Sequence, residues 1–356
     1  MTIQKTGNDG RDEANDPQEK NGAQEDTQNV ASTAYAMLTE EELAELDRLE
    51  MLAGGVLAVP KAWADRIHHN TVHLYDSAKR ALHHAFLQGA RAEAIGKWGT
   101  PYDAYAASVE ANLLEGIPFA DMRKAFDDGK GQELQGDAQH PPKMAAIYSS
   151  SALVVNTFGP WHHDPSHIMV NGHGGFRTMA FEAQVPTGLQ GIPPHLDLRL
   201  DADDRVLAIE SKCLEYLTPK PAVFAPAYDT IVDQRAQSPW FRHIADLRTD
   251  SRHYRYLDAA QLIKHYLGLS HGEPTRSLTL LYLFWEPRNW QNFEAFRHHR
   301  AEIDAFSEVV AGDRVRFEAL SYGELWREWE QRQAPTWLAG HVQRLTARYH
   351  VDLVTA

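Results

Sequence analysis

The chain has 356 residues, a hydrophobic share of 43% and a formal net charge of −14, which is enough for one large domain or two smaller ones with a real core. Its single cysteine, Cys213, excludes a disulfide framework and a cysteine-rich zinc site, and no apolar run is long enough to span a bilayer. The negative balance argues against a general nucleic-acid coat, but it is uneven: residues 1–50 hold 13 acids and 4 bases, while Arg248, Arg252 and Arg255, or Arg297 and Arg300, form basic clusters later.

Residues 1–35 are rich in Asp, Glu, Asn, Gln and Gly and cannot bury enough apolar surface to order themselves, so an acidic disordered tail is expected. Residues 36–142 read as an all-helical N-terminal region. Thr39 and Glu42 form a capping box ahead of the Leu43, Leu46, Leu49 and Leu52 stripe, which Gly54-Gly55 ends. A second helix is expected from Pro60 to about Lys97, with Trp63, Ile67, Leu74, Ala78 and Leu82 at helical spacing. A third is expected from Tyr102 to Leu114, then a loop over residues 127–142.

From residue 143 to the end the pattern is that of an α/β domain. Ser149-Ser150-Ser151 precede a short buried helix over Ala152–Phe158 and supply a serine cap. Thr178–Val185 alternates as a strand, with Met179, Phe181, Ala183 and Val185 on one face. Asp258 opens a helix that Gly268 ends. Leu278–Trp285 is a buried strand, Asn292–Val310 a helix, Val315–Leu320 a strand, and Tyr322–Gln333 a helix. The polar N-terminus carries no visible secretory signal; with the lone buried thiol, this points to the cytoplasm.

The chemistry concentrates between Pro193 and Tyr216. Side chains alternate along strands, so Leu196, Leu198 and Leu200 share one face and His195, Asp197 and Arg199 the other. A two-residue turn at Asp203-Asp204 sets Leu200 opposite Leu207, Leu198 opposite Ile209, and Asp197 opposite Glu210. Two carboxylates that close repel unless a cation or proton separates them. Mg²⁺ takes oxygen ligands and is commonly held by one or two carboxylates plus water and phosphate. Lys212 projects from the same face and could stabilise developing negative charge. Glu182 could add a third carboxylate. Glu215, at the strand end, reads as supporting.

The order helix, strand, strand, strand, helix, strand resembles the PD-(D/E)XK nuclease superfamily over roughly residues 143–320. The motif residues are Asp197 on the second strand and Glu210-Ser211-Lys212 on the third. The phrase Ser149-Ser150-Ser151-Ala152 to Asn156-Thr157-Phe158-Gly159-Pro160, with Phe181-Glu182, is similar to a bacterial restriction-endonuclease-like branch. Leu196 stands where the superfamily usually has proline. Gln261 is similar to the glutamine of a Gln-x-x-x-Tyr motif, but His265 stands where the tyrosine would be. The resemblance implies a restriction-endonuclease-like core, a mixed sheet flanked by helices. It implies Asp197 and Glu210 as ligands of Mg²⁺, with Mn²⁺ as a substitute, and Lys212 as the catalytic lysine. It further implies hydrolysis of nucleic acid, DNA in the first instance, to a 5′-phosphate and a 3′-hydroxyl. Gln261 and His265 share a helix face by i,i+4 spacing and are candidates to line that site.

Two other readings stay open. One is an inactive nuclease-fold module that binds nucleic acid or protein, since fold does not fix function. The other is a metallohydrolase built on His162, His163, Asp164 and His167, whose side-chain types suit zinc but whose spacing matches neither His-x-His-x-Asp-His nor His-Glu-x-x-His.

Overall fold

The computed structural model describes residues 61–354 except 130, 131, 138, 233, 234, 236, 274, 333 and 334. The expected tail and the Thr39 helix lie outside the described residues. The chain divides into two units, residues 1–67 and 68–356, and the sheet belongs to the second. Helices α1 (Lys61–Gly89), α2 (Phe119–Asp128) and α3 (Ser150–Phe158) precede strands β1 (Thr178–Gln184), β2 (His195–Asp201) and β3 (Arg205–Lys212). Then come α4 (Pro239–Thr249), α5 (Ala259–Gly272), β4 (Ser277–Phe284), α6 (Glu294–Val309), β5 (Val315–Ser321), α7 (Tyr322–Gln331) and α8 (Thr336–Tyr349). No described helix is long and apolar enough to cross a membrane.

The five strands form one mixed sheet in the order β1-β2-β3-β4-β5. The first three run antiparallel and β3, β4 and β5 run parallel. This is the expected α/β architecture, a mixed sheet with flanking helices. β3 and β4 are buried along almost their whole length, as central strands covered on both faces must be. One face packs on α1, α3, α7 and α8 around Leu153, Phe158, Leu207, Ile209, Tyr322 and Leu345. The other packs on α4, α5 and α6 around Trp240, Ile263, Tyr266, Ala208, Leu280 and Phe306.

The β2–β3 hairpin has the expected register, with Leu200 paired to Leu207 and Leu198 to Ile209. Ala202 N–H donates to Arg205 O at 2.9 Å, which closes the turn over Asp203-Asp204. The β1 alternation fails at one residue. Met179 and Phe181 pack on the Leu198 and Ile209 face, whereas Ala183 and Val185 pack on the opposite face with Leu196 and Ala208. Glu182 has φ = +49°, a left-handed conformation that costs a non-glycine residue about 1 kcal/mol or more. The β1–β2 ladder skips Glu182 and Asp197, pairing Phe181 with Leu198 and Ala183 with Leu196 on either side. This twist moves the apolar side chains of β1 from one side of the sheet to the other, and Leu196 of β2 goes with them, so it does not share the face of Leu198 and Leu200 that strict alternation predicts.

Three helix readings need correction. The helix from Lys61 ends at Gly89, short of Lys97, because the chain turns extended at Arg91, with ψ = 154°. Between Tyr102 and Leu114 only Val109–Asn112 is helical. Tyr105 and Ala106 instead form bridges to Ala146 and Ile95, and the Asn112 amide donates to Met144 O and Ala146 O. Gly268 does not end α5, which runs on to Gly272. A Cβ on Gly268 would come within 2.4 Å of Val185 O, so the glycine permits close approach of helix to strand. A serine caps α3 as expected, and among the three it is Ser149, which accepts from Ala152 N–H; Asp258 caps α5 as expected, accepting from Gln261 N–H.

Candidate active site

The C-terminal end of β3 carries Glu210, Ser211 and Lys212 beneath the first turns of α5. Glu210 and Lys212 share the parity of Ala208 and so lie on the face that α5 covers. Glu210 is 2% exposed. Lys212 Nζ donates to Glu210 Oε1 at 2.5 Å and to Gln261 Oε1 at 2.9 Å. His265 Nε2 lies 2.8 Å from Glu210 Oε2, but the two atoms are not aligned as a hydrogen bond, and Oε2 is buried without one. Gln261 and His265, four residues apart on α5, therefore both face the Glu-x-Lys segment.

Asp197 joins this group from β2. Its Oδ2 accepts from Ser211 N–H at 2.7 Å, so the backbone between Glu210 and Lys212 holds the third residue of the motif. The Ser211 side chain points the other way, 2.7 Å from the Tyr322 hydroxyl, and anchors β3 to α7.

Burial and then the Glu210 carboxylate push Asp197 well above the usual carboxylate range, with only partial relief from Lys212 and the Ser211 N–H. Burial acts upward on Glu210 too, but Lys212 and His265 outweigh it and hold that carboxyl at about 2. Lys212 loses solvation, yet Glu210 and Asp197 keep its ammonium charged well above its ordinary value. The centre therefore favours one ionised acid beside one that resists ionisation, as repulsion between close carboxylates requires.

Glu182 approaches from β1. Its side chain is 9% exposed with Oε2 3.5 Å from His195 Nδ1. Burial, then Glu133 and Glu210, raise it to about 7. A left-handed, nearly buried acid beside two others is the kind of strain that clusters at functional sites. Glu215 stands apart in role: its oxygens accept from Ser150 N–H at 3.3 Å and Cys213 N–H at 2.7 Å. It braces the start of α3 against the end of β3. Glu133, in the loop after α2, had no periodicity to single it out. It is raised by burial and feels Glu215, which makes it a fourth acid at the margin of the group.

This donor set fits a hard divalent cation. Two carboxylates meet at one strand end, and Glu210 Oε2 is a buried oxygen without an aligned donor. Among the described residues, no three His, Cys, Asp or Glu side chains are already gathered at ligand positions. An ion here would complete its shell with water and substrate oxygens, as Mg²⁺ commonly does.

The histidine loop is arranged differently. His163 Nε2 lies 3.1 Å from Asp121 Oδ2 on α2. His162 stacks on Phe181 with ring centroids 6.5 Å apart. Asp164 is used locally, accepting from Ser166. His167 ends a single 3₁₀ turn.

No curated protein and no solved structure matches the chain. A family model described as Restriction Endonuclease associating with ARP matches residues 63–350. That match runs through the mixed sheet, its flanking helices and every residue of the carboxylate–lysine group. The chain belongs to this restriction-endonuclease-like family.

Proposed function

We propose that the protein is a Mg²⁺-dependent nuclease of the PD-(D/E)XK type that hydrolyses phosphodiester bonds in DNA. Asp197 and Glu210 hold the ion, and Glu182 adds a third carboxylate. When bound, the ion supplies neutralisation of charge at the scissile phosphate and activation of a water. The remaining work falls to this chain's own groups. Ser211 N–H orients Asp197, and Lys212 holds Glu210 through Oε1. Gln261 and Glu210 fix the Lys212 ammonium where it can steer the nucleophile and meet negative charge on the phosphoryl oxygens. Such preorganised donors lie in a water-poor pocket, where they act most strongly.

The observation that carries this reading is the meeting of Asp197, Glu210 and Lys212 at one strand end, with Asp197 reluctant to ionise beside Glu210. A bound cation removes that conflict. The family description also names an association with ARP, so a partner of that kind belongs to the proposal beside the nucleic acid. The test is incubation of the full chain with supercoiled DNA and with RNA, with Mg²⁺ or Mn²⁺. DNA cleavage that requires the ion and disappears in Lys212→Ala supports the reading. Wild type and Lys212→Ala behaving alike on both substrates would sink it and favour a non-catalytic module.

A further inference from the structure

His265 is 1% exposed, and no hydrogen bond accounts for its place in the site. Neither of its ring nitrogens has an aligned partner among the described residues, and Glu210 Oε2 has none either. His265 Nε2 nevertheless lies 2.8 Å from that oxygen. Burying polar atoms without partners is costly, so two such atoms side by side call for a partner in common.

The fold fixes this meeting from several sides. Asp258 accepts from Gln261 N–H at 2.9 Å and sets where α5 begins. Gln261 and His265 then follow one turn apart on the face turned toward β3. Gln261 accepts from Lys212 Nζ at 2.9 Å, which leaves His265 opposite Glu210. A Cβ on Gly268 would come within 2.4 Å of Val185 O, so glycine lets the next turn of α5 lie close enough to the sheet for His265 to reach it. Lys212 occupies Glu210 Oε1 and leaves Oε2 to something else.

A hydrogen bond needs the right direction as well as the right distance, and here only the distance is met. Two ligands of one cation have this spacing for a different reason. Metal–ligand bonds of roughly 2.1 Å that meet near a right angle set their donor atoms about 3 Å apart. The side-chain types agree, since an imidazole nitrogen is the commonest metal ligand of proteins. Asp197, whose Oδ2 accepts from Ser211 N–H at 2.7 Å, stands on the neighbouring strand as a third arm. Among the described residues the three are not already gathered as a ligand set, so ion binding completes the site rather than filling a finished one.

Building on the proposed metal-dependent nuclease reading, we propose that His265 Nε2 is itself a ligand of the ion, beside Glu210 Oε2 and Asp197. The protein then offers one nitrogen and two carboxylates. Carboxylates alone suit Mg²⁺, whereas an imidazole adds affinity for first-row transition ions such as Co²⁺. His265 thereby tunes which divalent ion the centre prefers.

The test is spectroscopic and needs no substrate. Mn²⁺ is bound to the full chain, and electron spin-echo envelope modulation reads any nitrogen bonded to the ion. Wild type should show one directly bound nitrogen, and supplying histidine as its heavier nitrogen isotope should change that signal accordingly. The isotope exchange is read in wild type, so it holds whether or not a variant folds. The signal should vanish in His265→Gln, which keeps a polar side chain of similar size. It should persist in His195→Gln and when His162 and His163 are both changed to alanine. Calorimetric titration should show His265→Gln losing about 100-fold in Co²⁺ affinity, since a bound ligand matters at least as much as the outer-shell partners whose loss costs ~10–100-fold. Mg²⁺ affinity should fall far less, which also shows that the variant is folded. Bound Mn²⁺ without a nitrogen signal, or a signal that survives His265→Gln, would overturn the assignment and leave the carboxylate centre standing. A His265-dependent signal in a protein that cleaves neither DNA nor RNA would keep the ligand and remove the nuclease. Wild type that binds no Mn²⁺ would remove both.

Discussion

Glu182 offers a quantitative test of the crowding of acids at this site. Its carboxyl is raised from an ordinary 4.5 to about 7, by burial first and then by Glu133 and Glu210. A rise of that size corresponds to about 3 kcal/mol between protonation states. The side chain is 9% exposed, so solvent screening removes little of it. Because the folded state holds the proton more tightly, this stability is fully present below the unfolded value. It is lost as pH rises from about 4.5 through about 7. Asp197, raised by burial and by Glu210, contributes in the same direction. Urea unfolding in EDTA between pH 5 and pH 8 should show wild type losing stability with rising pH. Glu182→Gln cannot ionise at this position and should show a clearly flatter profile, with a gain over wild type of up to ~3 kcal/mol at pH 8. Mg²⁺ at pH 8 should restore much of the wild-type loss, because the cation offsets the same repulsion. Superimposable profiles for wild type and Glu182→Gln would refute the electrostatic account of the site.

Three further outcomes follow from single contacts. Lys212→Met leaves Glu210 buried without its ammonium partner and should cost about 3 kcal/mol in metal-free unfolding. Gly268→Ala places a methyl 2.4 Å from Val185 O and should lower stability by about 1–3 kcal/mol. Gly272→Ala meets nothing within 4 Å and should stay within about 1 kcal/mol of wild type; a thermal melt separates the two. Glu302→Ala strips three backbone N–H groups of their acceptor and should cost about 2 kcal/mol or more, with faster hydrogen exchange at Arg255, Tyr256 and Leu257 as its signature.

Much of the hairpin was legible because a strand has a two-residue period and the buried leucines tolerate one register. Leu198 against Ile209 and the turn at Asp203-Asp204 followed from that alone. A serine cap within Ser149-Ser150-Ser151, and Asp258, were readable because a short polar side chain before an apolar stripe has a local purpose. Gly268 was misread as a helix stop because the reason for it is Val185, far away in sequence. The twist at Glu182 was hidden for a related reason: glutamate gives no local sign of a left-handed backbone. The sequence does carry a signal for α4 and α8. Ser238-Pro239 starts the first, with Trp240, Phe241, Ile244 and Leu247 on one face. Leu338, Val342, Leu345 and Tyr349 mark the second. Gln261 and His265 were placed on one helix face, but their partners, Lys212 and Glu210, required the fold.

The proposed function requires a divalent ion held by Asp197 and Glu210 at the end of β3. Equilibrium binding of Mn²⁺, read by the loss of the free-ion electron paramagnetic resonance signal, addresses it without any substrate. The account predicts binding by wild type that is lost in Asp197→Asn and in Glu210→Gln but retained when His162 and His163 are both changed to alanine. Binding that survives both carboxylate substitutions, or vanishes with the histidines, would contradict it.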